Sequence, residues 1–343
     1  MREVRWNPLA GRHVLFAPGR ASRPHDTNSP PTLSSASREA LGAGESTLEK
    51  RTTSTSLTGH SYPSTGASEE KPCVFCQGNE SLTPPEIFAV RAKGGSDEPG
   101  WITRVVPNLY PAVEGPGRYH EVVVHSPRHI TLLEELRAEE LSAVAKAWSA
   151  RLEAISQDPS VVYFQAGLNQ GGDAGASRDH SHSQLLAVNF EPPIWKVEKE
   201  SLQSSALCPL CELVKDSLTL GQFSVKAGDE CVAVCPPWAE FPYEILAFPR
   251  DHLRSMSSSG DALEWVLESL TTLTWAIGAE AKTRSFNAIF HTGLARELGA
   301  QFHWHAHLYP RIAKLASVEL GTGVFIQTVD PLEVCSRLRS SDL

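Results

Sequence analysis

A chain of 343 residues with 41% hydrophobic and 21% charged residues can bury a full core, and its length suggests two domains. The net charge of −9 argues against a general nucleic-acid or membrane-surface role. The opening stretch MREVRWNPLAGRHVLF lacks the long apolar core of a secretory signal. No segment approaches the roughly 18 uninterrupted apolar residues of a membrane span, so a cytoplasmic protein is expected.

In chain order, Asn7-Pro8 marks a turn and His13 to Ala17 a strand, followed by a basic exit at Arg20 and Arg23. Residues 26–70 are rich in Ser, Thr, Gly and Pro, with almost no large apolar side chains, and read as a disordered insertion. After Cys73-Val-Phe-Cys76, residues 101–106 (WITRVV) predict a strand closed by Pro107-Asn108. Glu121 to His125 predicts another, leading into Ser126-Pro127-Arg128-His129. Leu132, Leu136, Leu141, Val144, Trp148 and Leu152 recur at helical spacing and predict a long amphipathic helix over Thr131 to Asp158.

The stretch NQGGDAGASRDHSHSQ, Asn169 to Gln184, comes next, between apolar runs at Val161 to Phe164 and Leu185 to Phe190 that read as strands. Side chains alternate along a strand, so His180, His182 and Gln184 share one face. A loop with Gly171, Gly172 and Gly175 can aim backbone N–H groups at an anion. Together these features make a phosphate-handling site, against the plainer reading of a surface hairpin with two incidental histidines.

A second pass follows. Cys208-Pro-Leu-Cys211 opens it, two strands flank Pro236-Pro237, and Pro249-Arg250-Asp251-His252 leads to a helix over Ala262 to Lys282. Strands at Phe286 to Phe290 and Phe302 to Pro310 close it, the last carrying His303, His305 and His307. His129 and His180 are 51 residues apart, and so are His252 and His303. The order of Cys-x-x-Cys, strand, Pro-Arg turn, helix and His-x-His repeats with them, which predicts two copies of one unit. The fold expected is α+β, antiparallel sheets with flanking helices, divided into 1–195 and 196–343.

A structural zinc site takes four nitrogen or sulfur ligands, two of them cysteines on a tight turn. Cys73, Cys76, His129 and His180 make one such set, and Cys208, Cys211, His252 and His303 the other. One or two zinc ions per chain are expected. With His180 given to metal, His182 is free to attack a phosphorus held at the loop and form a covalent phosphorus–nitrogen bond. Gln184 can donate to a phosphate oxygen, and Ser177 with the loop N–H groups can stabilise developing charge. Asn169 and Gly175 belong to the same substrate-binding loop. The second copy, with a less glycine-rich approach, reads as structural or as an aid to receiving a sugar phosphate.

The Gly-rich loop followed by Ser and His-x-His-x-Gln resembles the active-site segment of the galactose-1-phosphate uridylyltransferase family of the histidine-triad superfamily. Ser181 and Ser183 at the x positions resemble its ADP-glucose phosphorylase branch. The resemblance covers most of the chain apart from 26–70 and implies tandem histidine-triad modules. It also implies His182 as nucleophile with Gln184 as its phosphate partner. VVPNLYPAV resembles a segment whose Asn, here Asn108, touches the nucleotide. Arg20 and Arg23 match basic residues that meet phosphate, and VELGTGVFIQ places Glu319 near sugar hydroxyls. In the phosphorylase branch both metal sites hold zinc. In bacterial uridylyltransferases the second instead holds iron through carboxylate and histidines, for which Glu198, His291, His305 and His307 are the positions to compare.

The implied reaction moves a nucleotidyl group between a nucleotide sugar and a hexose 1-phosphate, with phosphorolysis of ADP-glucose as its close variant. A homodimer is implied, with no nucleic-acid or membrane partner. A nucleotide hydrolase and a non-catalytic zinc-stabilised nucleotide-binding module are the competing readings.

Overall fold

The computed structural model describes residues 3–18, 72–204, 208–294 and 302–340. Arg20, Arg23 and the insertion expected at 26–70 lie outside them.

A hairpin of β1 (Glu3–Asn7) and β2 (Arg12–Phe16) begins the chain. Then come β3 (Phe88–Arg91), β4 (Trp101–Pro107), β5 (Tyr119–Val124), α1 (Ala138–Ser156), β6 (Tyr163–Gln170) and β7 (His182–Val188). Helices α2 (Pro193–Ser204) and α3 (Pro209–Leu220) connect to β8 (Ser224–Ala227), β9 (Cys231–Val234), β10 (Ile245–Pro249) and α4 (Ala262–Ala281). The described chain ends with β11 (Phe286–His291), β12 (His305–Pro310), α5 (Ser317–Thr322), β13 (Phe325–Gln327) and α6 (Pro331–Arg339).

Among the described residues, ten strands form one sheet in the order β3-β4-β5-β7-β6-β11-β12-β10-β9-β8. Every neighbour in it is antiparallel. Read outward from the seam between β6 and β11, both sides have one topology: the strand after the long helix, the His-x-His strand, then three strands in reverse order. The seam is continuous, with Gln170 opposite Phe286 and Gln165 opposite His291. This is the mixed fold of antiparallel sheets and flanking helices that the repeat predicts. A separate small sheet joins β1, β2 and β13. Arg12 anchors it to the second half by two 2.6 Å hydrogen bonds to the buried Glu240 carboxylate.

Strand alternation sorts the side chains onto two faces. Phe164, Ala166, Leu168, Leu185, Ala187, Phe290, Ala306 and Leu308 point to the face covered by α1 and α4 and join one large core. Tyr163, Val188, Val232, Val234, Leu246 and Phe248 point the other way, packing with Trp195, Leu202, Leu210 and Leu213 of α2 and α3. Strands β9 and β10 are buried on both faces, which is why they read as unbroken apolar runs. By the same alternation His182 and Gln184 face away from α1 and α4.

The first long helix is shorter than its periodicity predicts. Leu133–Glu135 forms one 3-10 turn, and Leu136 and Arg137 are extended before α1 begins. Glu140 accepts the Arg137 N–H at 2.8 Å and so caps the helix start. The same carboxylate pairs with Arg128 at 2.5 Å, tying the helix to the turn that carries His129.

Trp148 of α1 lies under the seam. It is fully buried, donates its Nε1–H to Ser183 Oγ at 3.0 Å, and meets Phe290 edge-on at 4.7 Å between ring centroids. Trp148→Ala should cost about 3–5 kcal/mol, read from the urea midpoint; a loss under 1 kcal/mol would show that this contact does not hold the halves together.

Candidate active site

Strand β7 begins at His182, not at Leu185, and His180 and Ser181 approach it as irregular chain. The Ser181 N–H donates to Ile130 O at 2.7 Å and Ser181 O accepts from His125 N–H at 3.2 Å, so the approach is pinned on both sides. His182 Nδ1 is 2.7 Å from His180 O. A carbonyl only accepts, so Nδ1 carries the proton and Nε2 keeps its lone pair. Burial holds the His182 pKa below its usual value; the bond to the His180 carbonyl opposes this, and the Arg178 guanidinium adds to it. The ring is therefore neutral at neutral pH, with one nitrogen unprotonated.

Two cavities meet at this imidazole. Phe75, Leu82, Thr83, Asn108, Tyr110, Ser177 and Gln184 line the first. Thr131, Asn169, Gly171, Asp179 and Arg284 line the second. His182 and Arg178 line both. The first is broad and largely apolar on the Phe75, Leu82 and Tyr110 side, which suits a flat base, and its polar groups gather at Gln184 and Arg178.

The loop between β6 and β7 works differently from the sequence reading. The N–H groups of Ala174, Gly175 and Ala176 donate to the carbonyls of Gly171 and Gly172. They hold the loop in shape and are not turned to a ligand, so the charged Arg178 and the amide of Gln184 are the donors at hand. Gly171 has φ +80°, and a Cβ there would stand 2.2 Å from Ser285 Oγ, so glycine is required at this crossing of the seam. Gly175 (φ +78°) completes the turn and lines neither cavity. Asn169 is a strand residue, because β6 runs on to Gln170 in register with β11. It accepts 2.7 Å from Asn287 Nδ2, which also donates to Ala174 O at 2.9 Å. Asn287 thus clamps the loop from the second half. Sequence reasoning missed Arg178, Arg284 and Asn287; the first lies inside the motif itself, whereas the other two enter only across the seam.

Both expected metal sets are assembled. His180 Nδ1 lies 3.5 Å from Cys73 Sγ and 3.7 Å from Cys76 Sγ, and His129 Nδ1 lies 3.3 Å from Cys76 Sγ. His303 Nδ1 lies 3.7 Å from Cys208 Sγ and 3.6 Å from Cys211 Sγ, and His252 Nδ1 lies 3.4 Å from Cys211 Sγ. Tetrahedral bonds of 2.3 Å to sulfur and about 2.05 Å to nitrogen put such ligands about 3.6 Å apart, which matches. In each set the buried histidine gives its other nitrogen to a turn carbonyl: His180 Nε2 to Ser126 O at 2.9 Å, His303 Nε2 to Pro249 O at 2.8 Å. That bond fixes the tautomer with Nδ1 free for a metal.

A third group gathers Glu198, His291, His305 and His307, all buried, with ligand atoms within 4.8 Å of one another. Glu198 Oε2 is 2.5 Å from His291 Nδ1. His305 Nε2 and His307 Nε2 have no hydrogen-bond partner, and both are 3.9 Å from the Glu198 carboxylate. Unpaired buried nitrogens around one carboxylate fit a cation. Burial opposes ionisation of Glu198, but its contact with His291 and the nearby His305 and His307 hold its pKa low. The sequence set this group against the Cys208 set as rival readings of one site; the structure builds both. His305 occupies the place of His182 in the second copy, with Nδ1 2.9 Å from His303 O. It is fully buried against Glu198 and closed to a phosphate.

Glu319 stands apart from both cavities. Its carboxylate accepts the Ala316 N–H at 3.0 Å and caps α5.

The sequence pattern of the family described as galactose-1-phosphate uridyl transferase, N-terminal domain, matches residues 1–192. ADP-glucose phosphorylase of Arabidopsis thaliana is 28% identical, covering 99% of this chain and 93% of that protein. Galactose-1-phosphate uridylyltransferase of Haemophilus influenzae is 26% identical, covering 92% of this chain and 85% of its own. A crystal structure of an ADP-glucose phosphorylase from Arabidopsis thaliana with bound ADP-glucose superposes with a TM-score of 0.79 at 26% identity and covers 100% of both chains. The family pattern spans more than half of the chain, including the Gly-rich loop and the His-x-His-x-Gln strand, and on that ground the chain belongs to the galactose-1-phosphate uridyl transferase family.

Proposed function

We propose that this protein is a nucleotidyltransferase that moves a nucleoside monophosphate between a nucleotide sugar and a second phosphate through His182. The observation that carries this reading is the unprotonated Nε2 of His182 at the junction of two cavities. In the first step Nε2 attacks the phosphorus next to the nucleoside. The bond from that phosphorus to the bridging oxygen breaks, and hexose 1-phosphate leaves with the electron pair. In the second step an oxygen of the acceptor phosphate attacks the same phosphorus, the P–N bond breaks, and the imidazole is restored. Gln184 and Arg178 stabilise the charge on the nonbridging oxygens, Ser177 and Asn108 lie along the same wall, and Asn169 borders the second cavity.

Zinc suits the two sets of two thiolates and two imidazoles. Bound there, it supplies rigidity to the backbone that carries His182. Burial and the neighbouring Cys73 push the Cys76 thiol up to about 11, and Cys211 beside Cys208 goes to about 12. A divalent cation reverses that penalty, since the ligand is the thiolate. The oxygen and nitrogen donors of the Glu198 group suit a first-row divalent metal. Glu319 lies outside both cavities of its own chain, with exposed Val318 and Leu320 beside it, and we take the working form to be a homodimer in which this segment reaches the partner. No helix among the described residues is long and apolar enough to cross a membrane; small phosphorylated substrates fit a cytoplasmic enzyme.

UDP-glucose with galactose 1-phosphate is the substrate pair of the uridylyltransferase reading. A specific observation favours a second pair, ADP-glucose with phosphate: the near-full-length likeness to ADP-glucose phosphorylase, together with the intact Cys208 set. Labelled UDP-glucose and ADP-glucose, each incubated with phosphate or galactose 1-phosphate, decide the matter by product. Transfer of the nucleotidyl group in one pairing is expected. Release of free nucleoside monophosphate to water in every pairing would mean a hydrolase, and no turnover would mean a binding module.

A further inference from the structure

Gln184 can serve a phosphate only with its NH2 toward it, and nothing in a glutamine side chain decides which end of the amide points where. A histidine on the neighbouring strand decides it. In the β5–β7 pair Val122 is opposite Gln184 and His120 is opposite Leu186, so His120 and Gln184 lie diagonally on one face. His120 Nδ1 accepts the backbone N–H of Ala112 at 2.9 Å. A nitrogen that accepts an N–H carries no proton of its own, so the ring proton sits on Nε2. That nitrogen is 2.7 Å from Gln184 Oε1, and it donates to it.

The opposite amide orientation would place NH2 against the imidazole N–H, donor against donor. Asn108 Nδ2 lies 3.2 Å from the same Nε2 while Asn108 Oδ1 accepts the Tyr110 N–H at 2.9 Å. Gln184 lines the cavity that holds His182.

We propose that His120 is a positioning residue for nucleotidyl transfer: it holds Gln184 Oε1 and thereby presents the Gln184 NH2 to the phosphate at His182. This rests on the reading of His182 as nucleophile and Gln184 as its phosphate partner. His120 also joins the segment Asn108 to Ala112, one wall of the nucleotide cavity, to the strand that carries the chemistry.

A double-mutant cycle tests it, with zinc content and melting temperature followed throughout. Outright removal of one such donor costs on the order of 10²–10³-fold in kcat. His120→Phe, which removes the proton that orients the amide, should cost about tenfold to a hundredfold in kcat, with a smaller change in KM. In a Gln184→Ala background the same change should cost less than about twofold, because nothing is left to orient. His120→Gln places an amide donor near the former Nε2 and should recover most of the loss; His120→Leu is the second donor-free variant should the Phe protein not fold. Equal losses from His120→Phe in both backgrounds would show a structural role and overturn the proposal. So would an active His120→Phe enzyme within twofold of the parent, or a His120→Gln enzyme as impaired as His120→Phe. These outcomes differ from failure of the transfer reading itself, in which the parent protein carries no label on His182 and turns over no nucleotide sugar.

Discussion

His182→Asn should abolish nucleotidyl transfer, by on the order of 10⁴-fold or more, while zinc content and melting temperature stay near those of the parent. An asparagine amide fits the half-open wall but has no lone pair able to form the P–N bond. His182 also lies outside the Cys73 metal set, so the substitution removes no ligand. His182→Gly should regain the second half-reaction when supplied with a preformed nucleotidyl-imidazole, because the missing ring leaves space for that reagent. Label from a nucleotide sugar given without acceptor should map to the peptide that carries His182. The pH profile provides a further check. Attack requires the neutral ring, and burial, partly offset by the His180 carbonyl, holds the His182 pKa below 6.5. The acid limb of kcat/KM should therefore lie below pH 6.5. Near-normal turnover by His182→Asn would end the assignment.

His180→Asn should do the opposite, costing metal and stability together. His180 is buried, its Nδ1 faces two sulfurs, and its Nε2 is bound to the Ser126 carbonyl. Its loss leaves three ligands of four and an unpaired carbonyl. Zinc should fall by about one equivalent per chain, and because metal binding here is folding free energy, stability should fall by several kcal/mol. Activity should fall only as far as the fold does, and the remaining folded fraction should still accept label on His182. A folded His180→Asn protein with full zinc but no transfer would exchange the roles of the two histidines.

Much of this was legible from the chain alone, for a physical reason. Metal ligands and nucleophiles need particular side chains, and side-chain spacing survives in a linear string. The sets around Cys73 and Cys208, the equal spacing of their histidines, and the face shared by His182 and Gln184 were all readable that way. Features that depend on the actual course of the backbone, or on partners distant in sequence, were not. Periodicity alone runs Leu132 and Leu136 into α1, and only the Glu140 cap and its bond to Arg128 show where the helix begins. A run of glycines suggests an anion nest, yet the loop spends three of its N–H groups on itself. Glu198, on α2, was tied to His291, His305 and His307 only through the resemblance, since nothing in residue spacing brings it to them. Arg20 and Arg23 lie outside the described residues.

The seam between β6 and β11 has a consequence for how the protein is made. Its paired residues, such as Ala166 and Phe290, stand more than a hundred positions apart, so a chain emerging from the ribosome forms β6 long before its partner exists. Until then β6 offers a bare row of N–H and C=O groups, the kind of edge that recruits strands from other chains. Non-local pairings of this sort are slow to form. The loop before His182 also waits for Asn287 before it is held. A half-length product ending near residue 195 should therefore be aggregation-prone as well as inactive, and supplying the other half in trans should restore both solubility and an ordered loop.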